Sequence, residues 1–295
     1  MMLRNTRALA RAAAMLLLSA LACSVASVPA QAKVPTGDFA PFSACPRFSA
    51  GVNLCMIAHI ENGEVKVGKL TMPIDKPILF QAGIVQEEQR PFGETVVYAL
   101  GGQTLSATPL SVPGGLLGIV SAEALPRPLR ELYREAVATR LAAVTVTTQL
   151  VGLPLFSKFN VLAEEGTALS LPVRFKLNNP LLGGECYVGS AASPVTLNLT
   201  TGTTDPPPPA KPIKGSVGEV FQKDEFEYVY TATNVFVDNT FSVPRASGCG
   251  GALSPLVDSI IDSKIGLPVP AGQGTAILSG PIAEATTVGV IASEK

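Results

Sequence analysis

The sequence predicts a mainly β protein: an antiparallel sandwich or barrel-like set of sheets, in two internally similar halves that each carry one inserted helix. Three observations predict it. Apolar residues alternate with polar ones at period 2, the mark of strands with one buried face. Turn formers are abundant, with 27 Gly and 25 Pro. Short sequence anchors also recur in the same order in both halves.

The clearest strand is Leu169, Leu171, Val173, Phe175 and Leu177, interleaved with Ser170, Pro172, Arg174, Lys176 and Asn178. Pro172 cannot donate to a ladder, so this strand is expected at a sheet edge or bulged. Val195 to Thr200 alternates as cleanly, and Val65–Val67, Val144–Leu150, Phe226–Tyr230 and Val235–Phe241 also read as strands. Two segments change period. From Arg127 to Leu141, Leu129, Leu132, Tyr133, Val137 and Leu141 fall on one helical face. From Ser254 to Gly266, Ser254 is the expected N-cap, Pro255 the first helical residue and Gly266 the terminator. Between the halves, Thr203–Pro212 holds four consecutive prolines, Pro206–Pro209, and is expected to be an extended, water-exposed spacer or covering loop.

The recurring anchors begin with Cys55-Met-Ile-Ala58 and Cys186-Tyr-Val-Gly189. Next come Lys76-Pro-Ile78 and Lys211-Pro-Ile213, then Val112-Pro113 and Val243-Pro244. The two helices follow, and then Gly166-Thr-Ala168 and Gly274-Thr-Ala276. The organisation read from them is a leader over 1–32, a first β-rich unit over 33–185, and a second over 186–295 that holds the Pro-rich loop 203–212.

Residues 1–32 read as a secretory signal peptide: Arg4, Arg7 and Arg11, an apolar core from Ala12 to Ala22, and a cleavage motif Ala30-Gln-Ala32. Ala20-Leu-Ala-Cys23 is a degenerate lipoprotein box with its Leu and small residue exchanged. No later segment is long and apolar enough to span a bilayer. Cleavage would leave 19 basic and 23 acidic residues, a net charge of about −4 without a basic cluster. Nucleic-acid binding, which needs a dense positive field, is therefore set aside.

Cleavage also leaves four cysteines, Cys45, Cys55, Cys186 and Cys249, an even number that reads as two disulfides in an exported chain. Of three possible pairings, Cys45 with Cys55 is the favoured local bridge, leaving Cys186 with Cys249. Zinc spacing is absent. No catalytic, cofactor-binding or metal residue is assigned. His59 is the only histidine and lies in a strand without a nucleophile motif, so it reads as structural. Asp258 and Asp262 are spaced for one helix face and read as solvated, as do Glu87-Glu88 and the Asp224-Glu225-Glu227 cluster. The absence of Trp weighs against sugar stacking. Asn198-Leu-Thr200 matches a glycosylation sequon, but Asn198 reads as an outward polar strand residue.

Leu169-Ser-Leu-Pro-Val173, Asn179-Pro-Leu-Leu-Gly183 with Cys186-Tyr-Val-Gly-Ser190, Pro194 to Thr203, Val237-Asp-Asn-Thr-Phe241, Gly248-Cys-Gly-Gly251 and Gly114-Gly-Leu-Leu-Gly118 resemble a group of secreted proteins from actinobacteria. The likeness covers most of the chain beyond the leader. It implies export and bacterial origin, and carries over no activity or catalytic residue.

The expected function is a non-enzymatic, exported binding or structural protein of the cell envelope or extracellular space. Its expected partner is an envelope component or an apolar small molecule, since β architectures can enclose cavities. The alternative is a secreted hydrolase that works through carboxylates.

Overall fold

The computed structural model describes residues 33–86, 94–223 and 227–295. The leader 1–32, its Cys23, Glu87-Glu88, Asp224-Glu225 and Phe226 lie outside the described residues. Val34–Lys295 forms one body.

In chain order, a short 3-10 segment, Gly37–Ala44, precedes β1 (Leu54–Ile60), β2 (Asn62–Val67), β3 (Leu70–Pro73), β4 (Ile78–Val85) and β5 (Glu94–Tyr98). Then follow β6 (Pro109–Ser111), α1 (Leu116–Ile119), α2 (Arg127–Ala138), β7 (Thr145–Leu150), β8 (Leu155–Phe156), α3 (Lys158–Ala163) and β9 (Leu169–Asn178). The remainder is β10 (Tyr187–Val188), β11 (Val195–Leu199), β12 (Val220–Lys223), β13 (Tyr228–Asp238), β14 (Ala246–Ser247), α4 (Ser254–Ile265), β15 (Thr275–Thr286) and α5 (Thr287–Ala292). Among the described residues, all 15 strands join one branched antiparallel sheet, which runs from β12 to β14 without closing into a barrel. The mainly β, antiparallel class expected from the alternation is the class observed.

Two long strands are the spines of this sheet, and each changes neighbour at a proline. β9 pairs with β8 at Leu169–Ser170 and with β7 at Val173–Asn178, while β11 covers Leu169–Val173 from the other side. Pro172 sits at the junction between β8 and β7. Its carbonyl accepts from Val151 N at 2.9 Å, so its nitrogen, on the same side, falls where the ladder is interrupted anyway. The expectation of an edge or bulged strand is thus corrected: β9 is interior, and its proline marks a change of partner. β15 behaves alike. It pairs with β1 over Ile282–Thr286 and with β2 over Thr275–Ser279, with Pro281 in between. On its other side β13 runs the whole length, with an irregularity between Thr231 and Asn234 opposite Pro281. The two strands expected near 226–241 are therefore one.

The alternation of β9 is strict: its five apolar residues are buried and Ser170, Pro172, Arg174, Lys176 and Asn178 are half-exposed. Met56, Ala58 and Ile60 of β1, Val65, Phe80, Phe236 and Leu278 contribute to the same interior from the other strands. Burying each large aliphatic or aromatic side chain here contributes about 1.5–3 kcal/mol. Cys55 and Ile57 alternate to the opposite face of β1 and join a smaller cluster with Phe42, Cys45, Ala285 and Val290, under the 3-10 segment and α5.

The disulfides are Cys45–Cys55, which ties the N-terminal segment to β1, and Cys186–Cys249, which ties the start of β10 to the approach to α4. The helix α4 begins differently from its predicted cap. Ser254 is already helical and its hydroxyl donates to Asp258 at 2.5 Å; Gly266 terminates the helix at φ 86° as expected. The Pro-rich loop is no free spacer. Thr204 N donates to Ile213 O, Asn239 Nδ2 to Lys211 O, and the chain turns between Pro207 and Ala210.

The anchors of the expected repeat fall unevenly. Gly166-Thr-Ala and Gly274-Thr-Ala each lead into a spine strand, β9 and β15. Lys76-Pro77 leads into β4, whereas Lys211-Pro212 leads into irregular backbone with isolated bridges at Lys214 and Ser216.

Candidate apolar site and a buried carboxylate cluster

Between the spines lies an apolar cavity of about 70 Å³. Period-2 alternation aims the side chains of β1, β4, β7, β9, β11, β13 and β15 into one space, and Ala58, between Met56 and Ile60, leaves room there. Thr148 is the only polar residue among the 22 that line it. At ~24 cal/mol per Å³, an empty space of this size forgoes about 2 kcal/mol of packing. Such a space stays dry and accepts apolar molecules.

One stretch of the wall is not a ladder. The segment Ala99–Ala107 is held to β4: Gln81 N donates to Thr104 O at 2.8 Å, Ser106 N to Leu79 O at 2.8 Å and Gln81 Nε2 to Gln103 O at 3.0 Å. β6 joins β7 only over Thr145–Thr147. From Thr148 to Leu150 that edge of β7 instead faces a cleft of about 420 Å³, lined by Tyr98, Thr104, Leu105, Ala107 and Gln149 among others. Leu105 and Thr148 line both cleft and cavity. Tyr98 OH spans one end of the cleft, donating to Gly152 O at 3.0 Å.

A second constellation escaped the sequence reading. Glu284 on β15 meets Lys158 at the start of α3, and Glu94 at the start of β5 is close enough to feel its charge. Burial holds the Glu284 carboxyl above the usual carboxylate range despite the opposing Lys158 ammonium. Glu94 is raised first by burial and then by the Glu284 charge. One oxygen of each carboxylate is buried without a hydrogen-bond partner of good geometry. Two carboxyls with raised pKa values beside a lysine are the parts of acid–base chemistry. The void beside Lys158 and Glu284, however, is about 10 Å³, room for about one water. The signal was present: Glu284 is in phase with buried Ala276, Leu278, Gly280 and Ile282, the single charge on an inward face.

Asp258 and Asp262 are not solvated. Asp258 accepts from Gly248 N at 3.1 Å and Cys249 N at 2.8 Å, and Asp262, 6% exposed, accepts from Ala246 N at 2.8 Å and Arg245 Nη1 at 3.2 Å. They fasten residues 245–249 to α4, because backbone amides leaving a strand need acceptors. His59 is half-buried in β1, opposite Leu79. Glu227 is half-buried. Asn198 points outward and accepts from Ser170 Oγ at 2.8 Å. Among the described residues no three His, Cys, Asp or Glu side chains converge as metal ligands, and no helix is long and apolar enough to cross a membrane. No protein-family model, no curated protein and no solved structure matches this chain.

Proposed function

We propose that the protein is exported and, without catalysing a reaction, binds an apolar ligand in the space between β9 and β15. The observation that carries this reading is the cavity of about 70 Å³ with one polar residue in its lining, kept open at a cost to packing. The two disulfides fit an oxidising compartment, and the Arg-rich leader fits export to it.

Xenon is the simplest probe, being an apolar atom small enough for a cavity of about 70 Å³. Its binding should raise the melting temperature and perturb the NMR signals of β9 residues such as Val173. Ala58→Leu, which fills the space, should abolish both effects while retaining the fold. No xenon effect on the unaltered protein would overturn the reading.

A hydrolase working through carboxylates is the rival, and the Glu94–Glu284–Lys158 cluster is the observation in its favour. The tightness of that site stands against it. Ester, peptide or glycoside turnover that is lost in both Glu94→Gln and Glu284→Gln would favour the enzyme.

A further inference from the structure

The sheet ends at β12, whose outer edge suits a strand like itself. Among the described residues β12 pairs with β13 alone. Val220 lies opposite Thr231, and Ala232 N donates to Glu219 O at 2.9 Å. In an antiparallel ladder that bond makes Val220 and Thr231 a non-hydrogen-bonded pair. The backbone groups of Phe221 and Lys223 therefore face β13, and those of Val220 and Gln222 face away from the sheet. All four residues of β12 are exposed, the apolar Val220 at 40% and Phe221 at 45%. A bare apolar edge of this kind is a template for another strand.

The charges around Phe221 say which strand fits. Glu219 lies two residues before it and Lys223 two after, so alternation puts all three on one face. An antiparallel copy whose two-fold axis passes beside Phe221 sets Phe221 against itself and Glu219 against the second copy's Lys223. Val220 and Gln222 then lie opposite each other and exchange their outward N–H and C=O groups. Centring on Val220 or Gln222 instead would set Phe221 against a charge. Lys223 is already steadied on its face by Asp38 at 2.8 Å. Tyr230 stands behind Phe221 on β13, with ring centroids 6.1 Å apart, so the two-fold joins the rings of both copies into one aromatic row.

We infer that the protein pairs with a second copy of itself through β12, two-fold and antiparallel about Phe221, so that one sheet continues through both chains. The seam is one short strand from each copy, which makes the association weak and dependent on concentration.

Sedimentation equilibrium, together with a crosslink, tests this. The protein should pass from monomer to dimer as its concentration rises. Gln222→Pro removes an outward amide and none that β13 uses, so it should abolish the dimer and leave the melting temperature within about 3 °C. Glu219→Lys sets like charges together and should weaken the dimer about tenfold. The exchange Glu219→Lys/Lys223→Glu restores opposite signs and should return the affinity to within about threefold. Phe221→Cys should oxidise to a linked dimer, because a non-hydrogen-bonded pair brings its Cα atoms to about 4.5 Å. Gln222→Cys, offset from its own copy, should not. A monomer at every concentration up to about 1 mM would overturn the inference. So would a dimer that the charge exchange fails to restore, or one in which Phe221→Cys crosslinks no better than Gln222→Cys.

Discussion

Lys158 Nζ lies 2.5 Å from Glu284 Oε2, and the two side chains are unequally buried, at 28% and 8% exposed. The asymmetry decides which partner depends on the other. Lys158 can turn its ammonium toward water, whereas Glu284 has no second route to compensation. We predict that Lys158→Met costs about 3 kcal/mol, because it strands a buried carboxylate. The double variant Lys158→Met/Glu284→Leu should recover most of that loss, since apolar pairs replace buried ion pairs at little cost. Urea unfolding of the single and double variants measures the cycle. A Lys158→Met variant within about 0.5 kcal/mol of the unaltered protein would show that the pair contributes nothing.

Glu94 makes the same cluster sensitive to pH. Burial and the adjacent Glu284 both raise its pKa, so the folded chain keeps this proton at pH values where the unfolded chain has released it. Its contribution is complete below the unfolded glutamate pKa of about 4.3 and is lost as pH rises through the folded value. Glu284 and Asp238, both raised chiefly by burial, act with the same sign. Asp75 and Glu164 are lowered but exposed, and solvent screens them. We predict that Glu94→Gln exceeds the unaltered protein in stability by roughly 1–2 kcal/mol at about pH 8, with the gap closing toward about pH 4. Denaturant midpoints across that range provide the measurement. A constant gap would mean that Glu94 titrates with the same pKa in the folded and the unfolded chain.

The parts of this fold that obey period 2 could be read from the sequence, and the parts decided by partner choice could not. The inward face of β9 is written in Leu169 through Leu177, and the disulfide pairing observed is the one favoured by the closeness of Cys45 and Cys55, among three that four cysteines allow. Pro172 was misread because a proline's tolerance depends on which side of the strand lacks a neighbour, and only the β8-to-β7 switch reveals that. Asp258 and Asp262 looked solvated because helical spacing says nothing of the amides of residues 246–249 that turn to meet them. Glu94, Lys158 and Glu284 meet through long-range pairing, β4 with β5 and β1 with β15, which no local pattern encodes. The cavity is a residue of packing: the sequence names its lining but not the gap that Ala58 leaves.

The two disulfides should differ in what they contribute. Cys186–Cys249 closes a separation of 63 residues and Cys45–Cys55 one of 10. Chain entropy alone then assigns about 4 kcal/mol to the first and about 3 to the second. The local structure widens the difference. Cys249 is wholly buried, its amide is held by Asp258, and it leads through Gly250 into the segment from which α4 starts. Losing that bridge loosens β10, β14 and the start of α4 together. Cys45–Cys55 pins only the short segment over the smaller cluster, where Arg47 with Glu294 gives a second attachment. We therefore predict that Cys186→Ala/Cys249→Ala lowers the urea midpoint more than Cys45→Ala/Cys55→Ala, with a stability difference of at least about 1.5 kcal/mol. The order should hold when each pair is exchanged for serine, which separates loss of the crosslink from loss of apolar volume. Equal losses, or a larger one for the short loop, would show that the unfolded chain is already constrained around residues 186–249.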